Sequence, residues 1–487
     1  MESLSDTRWD VVISGTGLRH SLLALALSRS NKKILHVDEN DYYGGPEAAF
    51  SLQEVDEWVE ELGKAPTSTL FRNASIWKSE EETSTDSPTL SFSRAYTLTL
   101  SPQIIYTKSK LLSRLVSSKV YRQLEFQAVG NWWIYNAEEA VLKRLPNGRE
   151  DIFQDKNIDN RAKRNLMKFL KFVVDYENQT DVWEAQSESG LDIFLSSKFN
   201  FPAHLQIVIT ALTLSLAPPS ETSVKWALPR IARHLTSIGL FGPGFGAVVP
   251  KWGGGAEISQ VACRAGAVGG GVYVLGTGIE NVKVVEAEDT ESPAFHLALS
   301  NGEAVGTKLY VHEATDKDNG GITTVSKAIS IISSSVPSLF RSTVEGSPLA
   351  AVSVVVFPPM SLQIADGIQS DPVYIMVHSS ETGECPAGQS VLYSTTKSSS
   401  LSKIVLQAAL ESLMNRVPNQ GKLLYTLYYE QTAPSGSPLD LSFDDQLLEQ
   451  VEAQWREVMA EKANEESFMQ FEERKGMEAE EEDDNDY

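Results

Sequence analysis

One stretch constrains this chain more than any other: a short β-branched run that closes on two glycines and leads straight into a helix-forming segment. Trp9-Asp-Val-Val-Ile-Ser-Gly-Thr-Gly-Leu18 reads as a strand ending in a glycine turn, and Ser21-Leu-Leu-Ala-Leu-Ala-Leu-Ser28 as the helix that follows. Lys33-Ile-Leu-His-Val-Asp38 is a second apolar run ending on an acidic residue, which completes a strand–turn–helix–strand unit of Rossmann type. Gly15 and Gly17 permit the tight turn and close approach to a pyrophosphate at a helix N-terminus. Asp38, 23 residues after Gly15, stands about where an acidic residue would hold a ribose hydroxyl. His20 replaces the third glycine that would let helix and strand pack closely. Half of the fingerprint is present, and two readings stay open: a flavin or nicotinamide site, or a dinucleotide fold without its cofactor.

The rest of the chain has room for two or three domains in 487 residues. Residues 80–88 are acidic and Ser/Thr-rich, a surface insertion. Helices are expected over 162–176, 204–217, from about 255 and over 446–468. Strands are expected at 272–275, 282–285, 297–299 and 351–357. Forty-two basic against 65 acidic residues exclude a nucleic-acid binder, because nothing would offset phosphate repulsion. That excess is uneven, since 441–487 holds 17 acidic and 4 basic residues and ends in a block that reads as a solvated, disordered tail. Two cysteines, Cys263 and Cys385, without a CxxC support neither a disulfide framework nor a zinc site. The seven histidines are isolated, and no nucleophile–base pair or metal cluster emerges. The N-terminus lacks a secretory h-region, and the longest apolar stretches, 207–217 and 349–360, are too short for a bilayer. A soluble, cytosolic protein is expected.

The opening Asp10-Val-Val-Ile-Ser-Gly-Thr-Gly-Leu18, followed by Leu35-His-Val-Asp-Glu-Asn-Asp-Tyr-Tyr-Gly-Gly45, resembles the first conserved region of the Rab GDP-dissociation inhibitor and Rab escort protein superfamily. The resemblance recurs in order over 94–129, 163–177 and 240–275, and more weakly over 352–453. It implies a fold similar to FAD-dependent oxidoreductases in proteins not known as flavin enzymes. The expected class is α/β: an FAD-oxidoreductase-like, multi-segment domain with β-sheets, over 1–140 and 226–468 with an insertion at about 76–92. A smaller all-helical domain over 141–225 and a disordered acidic tail over 469–487 complete it.

Glu257 and Arg264 lie seven residues apart in the helix expected from about 255, close to two turns, so both occupy one face with Gln260 between them. At about 10 Å of rise they are too distant for an ordinary intrahelical salt bridge. From spacing alone they read as a solvated face or as charges kept for a partner. The resemblance implies the second, aligning them and Tyr43 with the family's Rab-binding platform. For Tyr43 the alternative is a core aromatic beside a turn. In 163–176, Leu166, Phe169, Leu170 and Val173 form a regular core stripe. Phe172 falls about 60° from Phe169, at the polar edge near Lys168, and reads either as a widened core stripe or as a partner anchor. Escort proteins carry a phenylalanine in this helix that inserts into the prenyl transferase, and Phe172 is its best match.

By resemblance, segments 380–389 and 424–430 look closer to escort proteins than to dissociation inhibitors. The implied function is therefore a non-catalytic escort, component A of Rab geranylgeranyltransferase. It would bind GDP-bound Rab GTPases through Tyr43, Glu257 and Arg264, present them to the α/β transferase held near Phe172, and deliver prenylated Rab to membranes by transient contact. Its partners would include the geranylgeranyl lipid, sheltered by Leu166, Phe169, Leu170 and Val173, or alternatively by 207–216; the bland reading of both stretches is domain core. Gly15, Gly17 and Asp38 would be a vestigial dinucleotide loop with no cofactor. The alternatives are a dissociation inhibitor that recycles prenylated Rab and a flavin oxidoreductase.

Overall fold

The computed structural model describes residues 4–64, 70–80, 88–146, 159–242, 244–286, 292–312, 322–342, 348–365, 367–419, 421–434 and 439–472. The opening unit forms as its pattern dictates: β1 (Arg8–Ser14), α1 (Leu18–Leu27) and β2 (Ile34–Val37). β1 and β2 run parallel, and almost every residue of α1 is buried, so its helix surface has neighbours all round. They sit in a six-stranded sheet of order Val272–Val274, β2, β1, Ala304–Val311, Phe295–Leu299, Ile279–Val284. The first four strands are parallel and the last two return antiparallel.

A larger, mostly antiparallel sheet carries the rest of the β structure. Its central strand Val352–Phe357 is buried along its whole length because successive side chains feed two cores. Val352, Val354 and Val356 face one cluster, while Val355 and Phe357 face another, which the helix Ser402–Met414 covers with Val405, Leu406, Ala409, Leu410 and Leu413. Ile76–Lys78 of the expected insertion belong to an edge strand, Phe71–Lys78, paired with Leu423–Pro434, and Leu90 packs against the core. Residues 81–87 of that insertion lie outside the described residues.

The helical unit has a core of its own, and its limits differ from those expected. Val141–Arg144 pairs with Phe126–Asn136 and belongs to the sheet, whereas Val224–Ser237 gives Val224, Ala227, Leu228 and Ile231 to the helical core. The unit therefore runs from α2 (Asn160–Val174) to Ser237, because residue 225 cuts a helix whose apolar face is already committed. Likewise, residues 469–472, expected in the tail, are described and packed against the body. Met469 is wholly buried beside Phe468 and Trp455, Ser117 Oγ donates to its carbonyl at 2.9 Å, and Arg29 lies over the Phe471 ring. Residues 473–487, which hold the acidic block, lie outside the described residues.

Phe172 requires a correction. It does not stand at a polar edge: it is 5% exposed, with its ring 5.4 Å from Phe199, 6.1 Å from Phe194 and 6.4 Å from Phe169. The helix Leu191–Phe199 packs on that side of α2, so a residue 60° from the stripe centre is still inside the contact. Leu166, Phe169 and Val173 are buried and Leu170 is half-buried in the same cluster. Phe172→Ala is accordingly expected to cost on the order of 3–5 kcal/mol in urea unfolding, as truncation of a core aromatic does. A change within about 0.5 kcal/mol would mark a surface residue instead.

Candidate functional site

The glycine loop has the backbone of an anion site. Gly15 takes φ +95°, Gly17 caps α1, and the first N–H groups of the helix point outward from its positive end. The position is taken by the protein itself. Leu18 N donates to Glu47 Oε2 at 3.1 Å, so a carboxylate stands where a phosphate oxygen would. Gly44 bridges to Gly17, its N–H donates to Thr16 Oγ1 at 3.1 Å, and Gly45 lies so close over Gly17 that a Cβ would come within 3.5 Å of it.

Asp38, 2% exposed, is also engaged. Its Oδ2 accepts from both Thr16 N and Thr16 Oγ1 at 2.6 Å, and its Oδ1 from Asn40 N and Nδ2 at 2.9 Å. His36 Nε2–H donates to Gly15 O at 2.6 Å, and the His20 ring fills the space beside Gly15. Burial holds both imidazoles neutral, at pKa values of about 3 for His20 and about 4 for His36. Gly15, Gly17 and Asp38 are thus brought together, with Glu47 and Thr16 on the groups that a dinucleotide would use.

The far side of the same loop is tied to the large sheet. Ser101 Oγ donates to Pro46 O at 2.9 Å, and Thr99 Oγ1 to Glu47 O at 3.4 Å. Beneath Ser101 lies Lys327, 5% exposed, whose Nζ donates to Gln431 Oε1 at 2.6 Å, Leu100 O at 3.2 Å and Ser101 Oγ at 3.3 Å. Burial pulls its pKa down to about 7, opposed by the charge of Glu47. Reading the sequence missed both residues. A lone lysine in the apolar strand Ile322–Ile332, and an acid closing Gly44-Gly45-Pro46, were the available signals.

The second half of the site is α3 (Gly255–Val268), which starts after the turn Gly253-Gly254, with φ +124° and +60°, and stops at Gly269. Its inner face, Ile258, Val261, Ala262, Cys263 and Gly266, packs close on α1. A Cβ on Gly269 would come 2.3 Å from Ser28 O at the end of α1, so glycine lets the end of α3 approach it, and one on Gly266 would come 2.1 Å from Tyr273 Oη on the neighbouring strand. The outer face carries Glu257, half-buried in the first turn, then exposed Gln260 and Arg264. Tyr43, half-buried on the loop after β2, lies within electrostatic reach of Cys263 and Arg264.

Tyr43, Glu257 and Arg264 are therefore neighbours, and among the described residues none of their side chains makes a hydrogen bond or ion pair. Burial raises the Glu257 carboxyl above its ordinary range, with Arg264 pulling it back. In the helical unit, 207–216 is helical only to Ala211. Ile207, Thr210 and Ala211 line a shallow crevice against Val356, Pro358, Pro359, Pro372 and Tyr374. Among the described residues no group of three His, Cys, Asp or Glu side chains is placed to hold a metal.

A test of the loop network follows from Lys327. Between about pH 7 and its unfolded value of 10.5 the unfolded chain carries a proton there that the folded chain does not, so stability should rise with pH across that window. Urea midpoints at pH 7, 8.5 and 10 should show this rise, and Lys327→Met should flatten it. An unchanged profile in the variant would remove Lys327 from the account.

Residues 5–415 match the family described as GDP dissociation inhibitor. A relative from Saccharomyces cerevisiae, described as Rab proteins geranylgeranyltransferase component A, is 34% identical over 409 residues, which cover 83% of this chain and 64% of the relative. This chain therefore spans slightly less than two thirds of that protein's length. Among solved structures, a Rab GDI from Plasmodium falciparum superposes with a TM-score of 0.63 at 18% identity, covering 92% of this chain and 97% of the other. An oxidoreductase from Methanosarcina mazei gives 0.52 at 12% identity, covering 89% and 90%. At such identities the two structures establish the fold alone, which is the oxidoreductase-like fold that the family resemblance implied.

Proposed function

The chain belongs to the GDP dissociation inhibitor family, and from that membership we propose that it is a Rab escort protein. In this reading it binds newly made, GDP-bound Rab GTPases, presents them to the Rab geranylgeranyltransferase heterodimer, and passes the prenylated product to membranes. The observation that carries it is the face made by Tyr43, Glu257 and Arg264: two opposite charges and an aromatic whose side chains make no hydrogen bond or ion pair among the described residues. The similarity to a protein described as component A supports the escort over the inhibitor.

Escort rather than catalysis is supported by the glycine loop, where Glu47 and the Asp38 bonds engage groups that a flavin or nicotinamide would use. We read the chain as a non-catalytic accessory without a cofactor; holding Rab and transferase together would raise the effective concentration of the Rab C-terminus at the transferase. The helical unit carries the transferase contact, with Phe172 shaping it from within. A geranylgeranyl group has about 20 carbons, each contributing on the order of 0.8 kcal/mol to burial, so the product needs an apolar shelter in transit. Leu166, Phe169, Leu170 and Val173 would line it once their helices part. Among the described residues no helix is long and apolar enough to cross a membrane. A cytoplasmic location with transient membrane contact completes the reading.

The deciding experiment is prenylation of a Rab by the transferase heterodimer with and without this chain. Dependence on the chain is expected. Prenylation that proceeds equally without it, together with extraction of prenylated Rab from membranes by it, would establish the inhibitor instead, and flavin absorbance in the purified protein would restore the oxidoreductase.

The platform has its own signature. A cationic group on the partner would pull the raised Glu257 pKa down, so the complex would bind fewer protons than the free chain. Affinity for GDP-bound Rab should then tighten as pH rises through the upper carboxylate range. Glu257→Gln should abolish that dependence, and Arg264→Ala should weaken binding at every pH. A pH profile identical in wild type and Glu257→Gln would exclude a cation opposite Glu257.

A further inference from the structure

We propose that Trp252 is a partner-contact residue that extends the Tyr43, Glu257 and Arg264 face beyond the N-terminal end of α3; the inference rests on the escort reading. Trp252 has φ +57°, in the left-handed region that a bulky side chain rarely enters. Glycine would take that conformation freely, and three glycines, Gly253 to Gly255, follow directly. Nor is the ring kept for a core: it is 42% exposed and belongs to none of the buried clusters.

The strain persists because the surroundings over-determine it. Trp252 N donates to Thr382 O at 3.0 Å, and Lys251 N to Glu125 O at 2.9 Å. The indole rests on Gly383, where a Cβ would come 2.4 Å from Trp252 Cδ1. Lys251 Nζ stands 4.7 Å from the ring centroid and is itself paired with Glu125 at 3.1 Å. Gly383 cannot drift, because Glu384 next to it is buried, with His378 Nδ1 at 2.7 Å and Tyr393 Oη at 3.1 Å from its Oε2, and accepts Thr97 N on its carbonyl at 3.2 Å. The result is a half-exposed aromatic surface of fixed orientation, five residues ahead of Glu257.

Trp, Tyr and Arg are the side chains that dominate binding energy at protein interfaces, and rigid aromatics lose little entropy when covered. Trp252, Glu257, Gln260 and Arg264 follow one another along a single helix and its entry turn, with Tyr43 beside the last. From Glu257 to Arg264 the helix rises about 10 Å, and Trp252 stands on the turn just ahead of it, within the reach of one partner domain. The occupant it fits is the GTPase of the escort reading, meeting the indole with an apolar patch and Glu257 with a cation.

Trp252→Gly separates this from a structural role, since it relaxes the backbone while deleting the ring. Trp252→Asn, which also tolerates the left-handed region, guards against a loosened turn. Both should bind GDP-bound Rab at least tenfold more weakly than wild type, with melting temperatures within a few degrees of it, and Trp252→Phe should recover part of the affinity. Unchanged affinity in both overturns the proposal, as does a fall in melting temperature that tracks the loss. A changed sedimentation coefficient of the free chain with Rab affinity intact also overturns it, in favour of a second copy. Arg264→Ala run in parallel keeps the two readings apart: failure of wild type to bind Rab defeats the escort assignment, whereas weakening by Arg264→Ala alone defeats only the assignment of Trp252.

Discussion

The carboxylate of Glu47 on the first turn of α1 is the contact on which the working surface depends. A helix N-terminus at the end of a parallel strand attracts an anion, and here the anion is covalently part of the chain. Bringing Glu47 there folds Tyr43 to Glu47 over the glycine turn, which closes the dinucleotide loop and presents Tyr43 beside α3 in one movement. The same loop is clasped from the large sheet through Ser101 and Lys327, so it acts as a wedge between the two sheets.

Buried polar groups of this kind are tolerable only when satisfied. Asp38 accepts four hydrogen bonds and Lys327 donates three, and all but the two from Asn40 join segments apart in sequence. Charge has been moved inside to hold a loop, while the side chains of Glu257 and Arg264, among the described residues, make no hydrogen bond or ion pair. That division between spent and unspent polar groups separates the scaffold from the surface that can recognise something else.

Much of this was legible beforehand. The strand–turn–helix–strand unit, the helix at 255–268 and the common face of Glu257 and Arg264 all follow from periodicities of two and 3.6 residues, which are local. Where neighbours distant in sequence decide, the reading failed. Phe172 looked peripheral until Leu191–Phe199 packed across it, residue 225 looked like a boundary until its helix proved to be half of the helical core, and Met469 looked like tail until Trp455 and Ser117 enclosed it.

By itself, then, the amino-acid order determined the fold class, the family resemblance, the acidic imbalance and the pairing of two charges on one helix. Each of these depends on residue type and on spacings shorter than a helix or a strand–turn–helix unit. Tertiary structure alone decided that the glycine loop is filled, that Lys327 is buried, that Phe172 is core and that Trp252 is held strained in the open. Those outcomes depend on which segments meet across the sheets, and no local pattern encodes the partner that a buried charge, or an unburied ring, will find.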